Sequence, residues 1–77
     1  MITAYVLIQV KVGRSAQVAS EIARIEGVSS CDVVSGPYDV IAFAEAIDLD
    51  DLGKLVVARI QAVDDVTRTL TCPVIRF

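Results

Sequence analysis

The chain has 77 residues and a formal net charge of −3, from 7 Lys and Arg against 10 Asp and Glu. That length makes a single domain over residues 1–77; the acidic balance gives no basic field for phosphates, which argues against direct nucleic-acid binding, and no apolar run approaches the ~18 residues of a membrane helix. With 55% hydrophobic residues and a mean hydropathy of +0.63, but only 2 cysteines and no histidine, the domain lacks a disulfide framework or metal site and is expected to self-associate for stability.

Residues 2–12 place Ala4, Val6, Ile8, Val10 and Val12 on one face and Tyr5, Leu7, Gln9 and Lys11 on the other. This is a strand buried on both faces for much of its length. Gln9 and Lys11 interrupt the apolar stretch and no basic segment precedes it, so it is not a signal peptide, and a cytoplasmic location is expected. Gly13 ends the strand. Ser15 is placed to accept the first free N–H groups of a helix whose apolar stripe is Val18, Ala19, Ile22 and Ile25, and Gly27 suits the left-handed position that closes it.

Residues 28–35 form a second strand, which Gly36-Pro37-Tyr38-Asp39 connects tightly to a third over residues 40–46. Asp48 caps a second helix, with Asp51 at the capping-box position and a stripe of Leu49, Leu52, Leu55, Val56 and Ile60. Gly53 inside it costs about 1 kcal/mol relative to Ala. The last strand covers residues 66–77, with Thr67, Thr69 and Thr71 on one face and Arg68, Leu70 and Cys72 on the other. Pro73 lacks a ladder N–H, which predicts an edge strand or a bulge.

The chain also repeats itself. Ala23-Arg24-Ile25 followed by Val28 returns as Ala58-Arg59-Ile60 followed by Val63, and the same offset lays Val6 and Ile8 over Ile41 and Phe43. Two strand-helix-strand units with right-handed crossovers predict an α+β, ferredoxin-like split βαβ fold (βαββαβ), an antiparallel sheet of order 4-1-3-2 with both helices on one face. The other face then carries either Tyr5, Leu7, Val40, Ala42 and Ala44 or Val6, Ile8, Ile41 and Phe43. Either set is too apolar for water, so a sheet-to-sheet dimer is expected; Tyr5 and Leu7 are preferred for it because Gln9 and Lys11 would form a polar rim. Cys31 and Cys72 fall toward opposite edges of this sheet and are expected to stay reduced as small apolar fillers, with no metal or cofactor role.

Without histidine, Ser15, Ser20, Ser29, Ser30 and Ser35 have no evident base, and acid–base work would rest on Asp39, Glu45 or Tyr38; no catalytic site is predicted. The turn is the best candidate site. Gly36 lets a ligand approach the backbone, Asp39 can accept from an ammonium group and Tyr38 can shield an apolar side chain, which are the needs of a free amino acid. Residue chemistry alone favours the plainer alternative, a Gly-Pro turn with a solvated Asp. Thr67 and Thr69 reach such a turn only if another subunit brings them there. Arg24 and Arg59, late in the two helices, are taken as structural.

Tyr5-Val6-Leu7-Ile8, Ile25-Glu26-Gly27-Val28, Ser35-Gly36-Pro37-Tyr38-Asp39-Val40, Ile60-Gln61-Ala62-Val63 and Val66-Thr67-Arg68-Thr69 together resemble the effector-binding domain of the leucine-responsive/asparagine-regulator (Lrp/AsnC) family. The resemblance covers essentially the whole chain. It implies a ferredoxin-like domain that dimerises through its sheets, assembles into rings (octamer or decamer) and binds an amino acid effector between dimers. It puts Gly36, Pro37, Tyr38 and Asp39 at the effector cleft, with Thr67 and Thr69 from the last strand. Ser35 stands where the family often has threonine, and Pro37 removes an N–H from the loop. Full-length members carry an amino-terminal helix-turn-helix domain; this chain starts at the first strand, so if complete it resembles stand-alone members acting on transcription through DNA-binding relatives. Two other readings remain, a small dimeric α/β-barrel enzyme of monooxygenase or isomerase type and a ligand-free assembly partner.

Overall fold

Strands β1 (Ile2–Val10) and β3 (Val40–Ala46) pair at the centre of one four-stranded sheet, with β2 (Val28–Val33) outside β3 and β4 (Val66–Pro73) outside β1. All three pairings are antiparallel, and the order β2-β3-β1-β4 is the expected one. The computed structural model describes residues 1–77. Helix α1 (Ser15–Ile22) joins β1 to β2; helix α2 (Leu49–Lys54), continued by a π-helix over Leu55–Ile60, joins β3 to β4.

The register sorts the faces. Val6 lies opposite Ala42, Ile8 opposite Val40 and Ala4 opposite Ala44, and all of these are buried with Val18, Ala19 and Ile22 of the first helix and Leu52, Val56 and Ile60 of the second. Tyr5 lies opposite Phe43 and Leu7 opposite Ile41, on the face no helix covers. The expected sets were therefore crossed between strands. Tyr5 and Leu7 do face away from the helices, but with Ile41 and Phe43, while Val40, Ala42 and Ala44 belong to the core. The small alanines let the helices pack close to the sheet.

The sequence repeat fares likewise. Val6 faces the helices and Ile41 faces away, so the offset that matches identities is one residue out of register with the pleat, and a one-residue slip exchanges the faces of a strand. The duplication of the strand-helix-strand unit is real in the fold; the matched identities do not superpose its core.

Several boundaries move. Strand β1 stops at Val10 and β2 at Val33, and Val74 N–H still donates to Thr3 O at 2.8 Å beyond Pro73. Ser15 makes no cap bond and is itself the first helical residue. Leu49, expected in the stripe, is 63% exposed. The second helix starts as predicted: Asp48 Oδ1 accepts from Asp51 N–H at 2.8 Å and Asp51 Oδ2 from Ile47 N–H at 3.0 Å. Its widened turn shows in the bond from Gln61 N–H to Val56 O, 2.8 Å. Gly27 takes φ +98 where a Cβ would lie 3.2 Å from Glu45 O and 3.3 Å from Leu55 Cδ2, so both the dihedral and the close packing require glycine.

Candidate effector site

The turn between β2 and β3 is tied down from below by β1. Asp39 N–H donates to Ile8 O, and Asp39 O accepts from Val34 N–H, each at 2.9 Å. The Asp39 carboxylate accepts from Val10 N–H through Oδ2 at 2.9 Å, where β1 has run past the start of β3. Gln9 Nε2 donates to Pro37 O, also at 2.9 Å. These bonds leave Gly36 and Pro37 exposed and Tyr38 and Asp39 half-buried. Gly36 adopts φ +152, and nothing lies within 4 Å of the place a Cβ would occupy, so the turn presents open backbone on a fixed base.

The threonines lie at the same end of the sheet but in a separate patch. Thr69 is opposite Ile8 and Arg68 opposite Gln9, which sets Thr69 on the helix side; its hydroxyl accepts from Gln61 Nε2 at 2.7 Å. Thr67, Thr69, Arg68, Val66 and Gln61 line a shallow depression of about 410 Å³. None of the turn residues lines it, so one protomer does not assemble the six site residues into a single pocket. Gln9, assigned to the rim of the open face by its position, is the residue that braces the turn, and only its long-range bond reveals this.

Below the turn, Asp65 holds the end of β1. It takes φ +73, its carbonyl accepts from Lys11 N–H at 3.0 Å, and its carboxylate lies 2.7 Å from Arg14 Nε and 3.8 Å from Lys11 Nζ. Lys11 stands one residue beyond the strand and contacts Asp65 there.

That open face has an apolar centre of Tyr5, Leu7, Ile41, Phe43 and Leu70, with Leu70 opposite Leu7. The Tyr5 and Phe43 rings pack with centroids 4.9 Å apart, tilted by 60°. Tyr5 and Leu70 remain 49% and 47% exposed, so the lone chain leaves a contiguous apolar surface in water. Cys72, opposite Tyr5, lies on it. Cys31, opposite Ala42, lies on the other face, and both are free thiols. Burial pushes the Cys31 thiol pKa up, and the Asp32 carboxylate adds to the shift. No helix is long and apolar enough to cross a membrane.

A larger concavity, about 680 Å³, opens at the opposite end of the sheet between the π-helix and the starts of β1 and β2. Sequence reasoning missed it because its walls come from segments distant in the chain.

The family model of the Lrp/AsnC ligand binding domain matches residues 3–77. The HTH-type transcriptional regulator PF0250 of Pyrococcus furiosus is 31% identical over 55 residues, 71% of this chain and 37% of that protein. The matched stretch thus spans well under half the length of that regulator. TTHA0845 from Thermus thermophilus superposes with a TM-score of 0.93 at 34% identity, over 100% of this chain and 96% of that one. The transcriptional regulator NMB0573 of Neisseria meningitidis, in its L-Met complex, superposes with a TM-score of 0.84 over 97% of this chain and 50% of that one; at 16% identity it shares the fold alone. Since the family model runs from the first strand to the last residue, the chain belongs to the Lrp/AsnC family, as its ligand-binding domain.

Proposed function

We propose that this domain is a cytoplasmic, oligomeric effector-binding module that takes a free amino acid and modulates transcription by co-assembly with helix-turn-helix members of its family. The observation that carries this reading is the turn. Its backbone at Gly36 is open to a ligand, while Gln9 and Val10 of the strand beneath hold it through Pro37 O and the Asp39 carboxylate. Tyr38 supplies an apolar wall. Thr67 and Thr69, half a sheet away in one protomer, would complete the cleft from a neighbouring one. The uncovered face of Tyr5, Leu7, Ile41, Phe43 and Leu70 supports a sheet-to-sheet dimer as the unit from which rings of four or five dimers are built. That NMB0573 binds L-Met on the same fold supports an amino acid as the ligand class. The family's regulatory role favours a binding module over an enzyme.

Calorimetric titration of the twenty amino acids, with light scattering on the same samples, tests this. At least one should bind and alter the assembly. Silence across the panel from correctly assembled protein would remove the sensing role and leave an assembly partner.

A further inference from the structure

We propose that the concavity at the far end of the sheet is a second small-molecule site, one that takes a zwitterionic amino acid with an apolar side chain within a single protomer. It stands apart from the turn. Strand β3 separates them, with Val40 beside the turn and Ala46 in the concavity, about 20 Å at 3.3 Å per residue.

The cavity of about 680 Å³ falls within the range of small-ligand sites, and its walls combine apolar surface with a few convergent polar groups. Val28, Leu55 and Ala58 supply the apolar part. Lys54 and Arg59 stand on the helical side, Glu26 and Glu45 on the strand side. Charges of both signs thus share one concavity, yet they do not neutralise each other. The ion pairs of the chain both belong to Asp65, at the other end of the sheet. Glu45 accepts from Ser29 Oγ through Oε1 at 3.2 Å, which leaves Oε2 free. Asp51, also in the wall, accepts from Ile47 N–H through Oδ2.

A planar guanidinium is suited to a carboxylate, and a free carboxylate oxygen to an ammonium group. Arg59 and Glu45, lining one concavity with apolar surface between its charged groups, therefore match the two charged ends of an α-amino acid, with the side chain against Leu55 and Val28. A ligand with only one charge would leave one of the two protein charges unsatisfied. Gly27 fixes the floor, because its carbonyl accepts from Glu45 N–H at 2.7 Å and its position admits no side chain.

Backbone amide shifts of isotope-labelled full chain during titration with L-leucine read the two ends of the sheet separately. Saturable shifts at Gly27, Ser29, Leu55 and Arg59 are expected. 4-Methylpentanoate and isoamylamine, which each lack one charged group of leucine, should bind at least tenfold more weakly. Arg59→Gln and Glu45→Gln should each weaken leucine tenfold or more while circular dichroism stays unchanged, and Asp39→Ala should leave these shifts intact. Shifts confined to residues 36–39 would support the turn as the leucine site and overturn the second one. Equal responses to the three molecules, or no saturable response at the concavity, would also overturn it.

Discussion

Replacing Asp39 separates two roles that a carboxylate in the turn can play. In the structure its Oδ2 accepts from Val10 N–H at 2.9 Å. Asp39→Ala removes that acceptor at a half-buried strand end. A hydrogen bond to a charged partner contributes roughly 1.5–3 kcal/mol, and partial access of water to Val10 brings the expected cost to about 1–2 kcal/mol. Asp39→Asn keeps an oxygen at the same place; charge-assisted bonds are about twice as strong as neutral ones, so it should cost about half as much. With a urea m-value near ~1 kcal/mol/M for so small a chain, the alanine variant should unfold about 1–2 M earlier and the asparagine variant less than ~1 M earlier. Far-ultraviolet circular dichroism is the appropriate signal, at several protein concentrations because assembly feeds into apparent stability. If the carboxylate serves as a brace alone, Asp39→Asn retains amino acid binding and Asp39→Ala loses it. If it also holds the ligand ammonium, both lose it. An alanine variant with the wild-type midpoint would refute the assignment of Asp39 as the anchor of the turn.

The glycines should respond with opposite signs in the same unfolding assay. Gly53→Ala, with nothing within 4 Å of its added Cβ, should stabilise by about 1 kcal/mol, whereas Gly27→Ala should destabilise by roughly 1–3 kcal/mol through strain and contact with Glu45 O and Leu55. Leu70→Asp places a charge at an exposed point of the open face. Light scattering should then report the 8.3 kDa monomer with its dichroism retained; an unchanged assembly would remove that face from the interface. If the open faces pair as proposed, Cys72 should react with a thiol reagent more slowly in the wild type than in Leu70→Asp, because a partner sheet would cover it. The raised pKa of Cys31 means that the unfolded chain releases its thiol proton first, so stability is full below the ordinary thiol pKa and falls as pH rises above it. Urea midpoints between about pH 7.5 and 10 should therefore fall more steeply for wild type than for Cys31→Ala; parallel slopes would contradict the shift.

Topology was readable because each break has a local cause. Asp48 and Asp51 mark a helix start, Gly27 needs its positive φ, and Gly36-Pro37 forces a turn. The assignment of faces was not readable, because β1 and β3 are apolar on both sides and alternation alone does not say which set meets the helices. Pairing resolves it: Tyr5 meets Phe43, not Ala44. Leu49 fits the apolar periodicity of the helix, yet stands as its first residue and stays exposed. The internal bond of Asp39 was equally hidden. A turn aspartate looks the same in sequence whether it waits for a ligand or already holds Val10 N–H, and only the register of β1 against β3 decides.

One strand carries more than its share. Within four consecutive residues of β1, Leu7 presents its side chain to the open face, the Ile8 carbonyl receives Asp39 N–H, the Gln9 amide reaches Pro37 O, and Val10 N–H reaches the Asp39 carboxylate. Since β1 is laddered on both sides, to β3 and to β4, it has no slack to absorb a displacement at one of these points. Whatever tightens the turn pulls on the backbone that positions Leu7, and whatever seats Leu7 against a second sheet stiffens the base of the turn.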